Sequence, residues 1–123
     1  MKSKTLTIRT MVATDLQHLN VDTFGATVRG HTIELDGEPV GIGGVLHQTP
    51  RQAFSVMDDK LRKYPKTIVK FFKVFREMLE NNYSTVYAIA SETESNAPGT
   101  LKRMGFEFHS IDNEGREVYR WTQ

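Results

Sequence analysis

Glu94-Ser95-Asn96-Ala97-Pro98-Gly99-Thr100-Leu101-Lys102-Arg103-Met104-Gly105-Phe106 is the stretch on which the reading of this chain turns. It follows a strand-like segment, precedes a hairpin, and reads as a short helix stopped by Gly105-Phe106. Glycine suits the left-handed position that ends a helix, because it has no Cβ to clash there. Pro98-Gly99 makes that helix begin late. Alone, the run is also an ordinary helix terminus, so its meaning depends on its neighbours.

Upstream, Tyr83 to Ala90 reads as a buried strand, and before it lies the strongest periodicity in the chain. Ile68, Phe71, Phe72, Phe75, Met78 and Leu79 recur at i, i+3, i+4, i+7, i+10 and i+11, a complete apolar helix face, with Lys66, Lys70, Lys73, Glu77 and Glu80 on the other side. Asn81-Asn82 closes that helix. A strand over roughly Gln52 to Asp58 places Phe54 and Val56 on one face. Further back, Asp36-Gly37 is a hairpin signal, since a type I′ turn needs positive φ at both central residues. It joins Thr32-Ile33-Glu34-Leu35 to a strand from Val40 to His47, whose glycines suggest a kink or bulge. Thr5 to Arg9 alternates as a first strand, and Thr14-Asp15 starts a helix carrying Leu16 and Leu19. The stretch from Asn20 to Gly30 shows no clear pattern. Downstream, Phe106 to Ile111 and Glu117 to Trp121 flank Asp112-Asn113-Glu114-Gly115 as a second hairpin.

The 123 residues predict one domain, 1–123, with a single core. Hydrophobic and charged fractions of 38% and 25% are those of a globular protein. No apolar stretch approaches a membrane span and no secretion signal is visible, which predicts a cytoplasmic protein with no membrane partner. There is no cysteine, which excludes disulfides, thiolate nucleophiles and zinc-finger sites. A net charge of +1 gives no overall pull toward nucleic acid. His18, His31 and His109 have no ligand spacing with carboxylates, so no metal site is expected. Neither a Ser-His-Asp arrangement nor a Walker-type loop is present, and Tyr83, Tyr87, Phe106, Phe108, Tyr119 and Trp121 read as core and sheet residues.

The predicted order is β-α-β-β-β-α-β-α-β-β, an α/β chain whose mixed sheet carries helices on both faces. With the Gly-Phe ending, this order resembles the GNAT family, the Gcn5-related N-acetyltransferases, across nearly the whole chain. In its small size and loop it is similar to the small GNAT-like proteins of tailed phages. The resemblance implies acetyl-CoA as co-substrate and an amine acceptor, either a small molecule or a protein.

It also implies where the coenzyme sits. The family's loop Gln/Arg-x-x-Gly-x-Gly/Ala, before the long helix, corresponds to Arg62-Lys63-Tyr64-Pro65-Lys66-Thr67. Arg62 matches, whereas Pro65 and Thr67 replace the glycine and the Gly/Ala. Glycines and free N–H groups at a helix start suit an anion. Proline removes one such donor. Lys60, Arg62, Lys63 and Lys66 supply cations within seven residues, a cluster that fits the coenzyme phosphates or, equally, a solvated basic turn. Main-chain groups around Val56 and Met57 are expected to pair with the pantetheine as a sheet edge does. In the family pattern Asn-x-x-Ala-x-x-x-Tyr, Leu101 stands where a tyrosine serves as general acid, Ala97 matches, and Glu94 takes the Asn position. Asn96, two residues late, remains a coenzyme-binding candidate.

A general base must deprotonate the incoming ammonium. Asp58 is the candidate, beside Asp59, and His47 is a second; the acids also read as exposed partners of the lysine cluster. Two functions remain open. One is an N-acetyltransferase in which the amine attacks the thioester directly. The other is a GNAT scaffold without catalysis, of the kind tailed phages encode, that acts in a host cytoplasm by binding a host or virion protein. The exposed edge of the C-terminal hairpin is compatible with a homodimer.

Overall fold

A computed structural model describes residues 5–90 and 97–123. Its elements are β1 (Leu6–Thr10), α1 (Ala13–His18), β2 (Thr27–Leu35), β3 (Glu38–His47), β4 (Gln52–Met57), a 3₁₀ turn (Asp59–Lys63), α2 (Pro65–Asn82), β5 (Thr85–Ile89), α3 (Ala97–Arg103), β6 (Glu107–Ile111) and β7 (Glu117–Thr122). The order is the expected one, and the fold is α/β with a mixed seven-stranded sheet ordered β1-β2-β3-β4-β5-β7-β6. Every neighbouring pair is antiparallel except β4 and β5.

The long helix packs as its periodicity requires. Phe71, Phe75, Met78 and Leu79 are buried, and Ile68 and Phe72 are half-buried against the same core. Gly43 lets it approach the sheet: a Cβ there would lie 2.8 Å from the Phe71 ring and 3.0 Å from that of Phe75. The turn between β2 and β3 is as read, with φ of 51° at Asp36 and 85° at Gly37. The expected irregularity in β3 falls at its start, where Ile33 pairs with Gly41 but Glu34 pairs with Pro39, leaving Val40 as the extra residue.

The N-terminal half departs from its reading. The first strand is displaced by one residue, and β2 begins at Thr27, inside the stretch that showed no pattern. In α1 the buried residue is Asp15, whereas Leu16 and Leu19 are only half-buried. Asp15 accepts both terminal nitrogens of Arg9 at 2.8 Å, the Thr32 hydroxyl at 2.8 Å and the Val12 N–H at 2.9 Å. Four donors satisfy one carboxylate, and Arg9 also binds Glu34. The fourth strand ends at Met57, one residue earlier than expected, because Asp58 leaves the ladder to cap the 3₁₀ turn. No helix among the described residues is long and apolar enough to cross a membrane.

The Arg9 guanidinium holds Asp15 well below the usual carboxylate range. A depressed carboxylate contributes stability that is present above its unfolded value, near pH 4, and is lost as pH falls. Asp15→Ala should therefore lower stability at neutral pH by about 3 kcal/mol, the cost of stripping one partner from a buried ion pair. Urea midpoints should also fall less between pH 7 and pH 3 in this variant than in the parent chain.

Candidate functional site

The parallel contact of β4 with β5 consists of two residue pairs, Gln52 with Tyr87 and Ala53 with Ala88. Beyond them the strands separate. Val56 stays paired with Ile42 of β3, and Asp58 N–H bonds the Val40 carbonyl at 2.8 Å, so β4 follows β3 to its end. Ala90 N–H bonds the Glu117 carbonyl at 3.0 Å, which ties the end of β5 to the start of β7. A cavity of about 570 Å³ opens over the gap. Its walls are Ile68, Phe72 and Phe75 of α2 and Thr100, Leu101 and Met104 in and after α3, with Ala53, Ala88 and Ala90 on the sheet below.

The alternation of the ladder decides which main-chain groups face the gap. Tyr87 N–H bonds the Arg51 carbonyl at 2.9 Å, so residues in step with Arg51, namely Ser55 and Met57, turn their N–H and C=O toward the opening. Val56 turns its main chain to β3 and brings a side chain, 37% exposed, to the cavity wall. Ser55 was not singled out in the sequence; a strand register would have found it.

Of the basic loop, Arg62 lines the cavity mouth; its exposed side chain pairs with Asp59 at 3.3 Å. Lys63 and Lys66 are exposed beside it and, among the described residues, neither has a carboxylate within 4.0 Å. Tyr64 is half-buried against the core and does not line the cavity. Its carbonyl accepts from the N–H groups of Thr67 at 3.1 Å and Ile68 at 3.2 Å. With Pro65 as the first helical residue, the N–H of Lys66 is the donor left at this end of α2. The first turn of α2 holds no acid and the last turn no base.

Asp58 stands at the mouth, and one of its carboxylate oxygens accepts the Lys60 N–H at 2.9 Å. Leu101 faces the cavity from α3. Its carbonyl accepts the Phe106 N–H at 2.9 Å while that of Lys102 accepts the Gly105 N–H at 3.0 Å, a Schellman closure with Gly105 at φ 94°. Arg76 of α2 reaches the Arg103 carbonyl at 3.5 Å. Asn96 and Glu94 lie outside the described residues.

His47 is at the other end of the sheet. It hydrogen-bonds the Tyr83 hydroxyl at 2.6 Å, and burial, helped by Arg51 and Arg29, lowers its pKa. Among the described residues no three His, Asp or Glu side chains gather as a metal would require.

No family model matches the sequence, and no curated protein matches it. Solved structures do. An N-acetyltransferase from Staphylococcus aureus Mu50 superposes with a TM-score of 0.72 at 12% identity, covering 96% of this chain and 98% of that one. The ribosomal-protein-S18-alanine N-acetyltransferase from Escherichia coli gives 0.70 at 13%, covering 96% and 94%. An aminoglycoside acetyltransferase solved with coenzyme A and kanamycin gives 0.66 at 16%, covering 97% and 95%. The chain has the acetyltransferase fold. At these identities the likeness concerns the backbone, and it covers both walls of the divided sheet.

His47→Gln should lower stability by about 1 kcal/mol for the lost Tyr83 bond, read from urea midpoints.

Proposed function

We propose that the chain is a GNAT-like N-acetyltransferase, carrying an acetyl group from acetyl-CoA to an amine. The observation that carries this reading is the gap between β4 and β5, which opens at the cation-rich start of α2. Met57 and Ser55 offer unpaired main-chain groups to the amides of a pantetheine arm, as a sheet edge does. Arg62, Lys63 and Lys66, with the one remaining N–H, face the phosphates, and the macrodipole adds to their attraction.

In this reading the neutral amine attacks the thioester carbonyl carbon. A C–N bond forms, the C–S bond breaks, and the sulfur leaves with the electron pair. The amine proton passes through water at the mouth to the Asp58 carboxylate and on to solvent. Leu101 has no proton to give, so water protonates the thiolate. A thiolate is a fair leaving group, and this omission slows the step without blocking it.

Acetyl-CoA should raise the melting temperature, as a ligand selective for the folded state does. At about 1 kcal/mol for each exposed charge-assisted contact, Arg62→Ala with Lys66→Ala should weaken the coenzyme by about 2 kcal/mol, roughly thirtyfold in Kd. Melting curves with and without the coenzyme check both statements. An unchanged curve at millimolar acetyl-CoA leaves a GNAT scaffold that works by binding a protein as the better reading. A clear shift without thiol release on any amine means that catalysis has lapsed.

A further inference from the structure

The cavity over the gap between β4 and β5 has two unlike ends. At its mouth stand Asp58, Asp59 and Arg62, the charged residues of its lining among those described. Away from the mouth, Ile68, Phe72 and Phe75 recur along α2 at i, i+4 and i+7, about 10 Å of helix. Leu101 and Met104 stand opposite them in and after α3, and Arg76 reaches from α2 to the Arg103 carbonyl, which links the two walls. The floor between them is alanine, with Ala53 and Ala88 where the strands last touch. Phe75, Met104 and Phe106 are buried core residues and still border the cavity, so it reaches into the core. Among the described residues, Ser55 and Thr100 are the polar side chains on this side of the sheet.

A pantetheine arm bears amides, which the main-chain groups of Ser55 and Met57 suit, and its phosphates belong at the mouth. Laid along β4 in that sense, the arm carries its thioester toward the closed end of the gap. An acetyl group has one methyl beyond its carbonyl, which leaves most of the two apolar walls uncovered. Protein interiors are close-packed, and walls that face a void forfeit their dispersion contacts. An apolar cavity takes an apolar guest in preference to water. Two apolar helix walls above a floor of methyl-sized side chains form a slot, and its shape suits an unbranched hydrocarbon chain.

We propose that the donor is a straight-chain acyl-CoA longer than acetyl, whose tail lies between α2 and α3 over Ala53 and Ala88, with Leu101 as part of its wall. This rests on the donor-binding reading given above and names the acyl group. The bonds exchanged are the same: the acyl C–S bond breaks, a C–N bond to the amine forms, and the thiolate takes a proton from water. The hydrocarbon tail itself is unchanged.

Calorimetry with acetyl-, butyryl-, hexanoyl- and succinyl-CoA tests this. A buried CH2 is worth about 0.8 kcal/mol, about fourfold in Kd, so hexanoyl-CoA should bind at least about tenfold tighter than acetyl-CoA. Succinyl-CoA matches butyryl-CoA in length but ends in a carboxylate, and it should bind at least about tenfold more weakly, since that charge would lie between apolar walls. Ala88→Leu fills the floor and should bring the hexanoyl-to-acetyl ratio to about one. Leu101→Gln, at a half-buried helix position, should lower the ratio as well. Equal affinities for acetyl- and hexanoyl-CoA, or for butyryl- and succinyl-CoA, overturn the proposal and leave the donor site standing. A ratio untouched by both variants overturns it too, because the tail then lies elsewhere. If no acyl-CoA binds, the donor site falls with it.

Discussion

Two residue pairs hold β4 against β5, and the rest of the candidate site follows from how little they join. A longer parallel contact would close the sheet and pair the main-chain groups that Ser55 and Met57 now present. Each strand is instead held by its other neighbour, β4 by β3 and β5 by β7. The divergence is fixed at the ends by two backbone hydrogen bonds, from Asp58 to Val40 and from Ala90 to Glu117. Small residues, Ala53 and Ala88, sit where the strands last touch and line the cavity.

The two ends of α2 are treated differently. At its C-terminus Arg29 from β2 bonds Asn82 at 2.6 Å, and Asn82 bonds the Met78 carbonyl at 2.9 Å. Arg51 lies over the Tyr83 ring, 5.9 Å from its centre. Cations supplied by other parts of the chain thus complement the negative end of the helix, as its dipole favours. At the N-terminus the same rule is broken by Lys63 and Lys66. The chain thus satisfies the rule at one end of α2 and opposes it at the other.

Much of the architecture was legible because its determinants are local. Asp36-Gly37 needs only its own backbone, Gly105 needs only the helix before it, and the apolar face of α2 repeats within one element. What escaped was set across distance. Asp15 is buried because Arg9 and Thr32 converge on it, and no pattern within a six-residue helix announces that. The 3₁₀ turn arises because Asp58 caps it after leaving the ladder. For the site, Arg62 and Met57 were readable from their place in the chain. Leu101 was named there too, through the family pattern, whereas Ser55 and Phe72 join them only once the strand order and the seating of α2 are known. The periodicity that marks Phe71 and Phe75 as core also covers Ile68 and Phe72, and it does not tell that Ile68, Phe72 and Phe75 line the cavity while Phe71 does not.

The seam between β4 and β5 divides the described chain into two consecutive runs, since β1 to β4 precede it and β5 to β7 follow. The link that crosses from one to the other is the turn before α2, and the helix that follows lies back over the first run, its Phe71 and Phe75 seated on Gly43. If the backbone were cut in that turn, the two fragments would still share an aromatic interface and could reassociate without a peptide bond between them. The arrangement is that of a clasp: the later half grips the earlier one with α2 while their sheets barely touch.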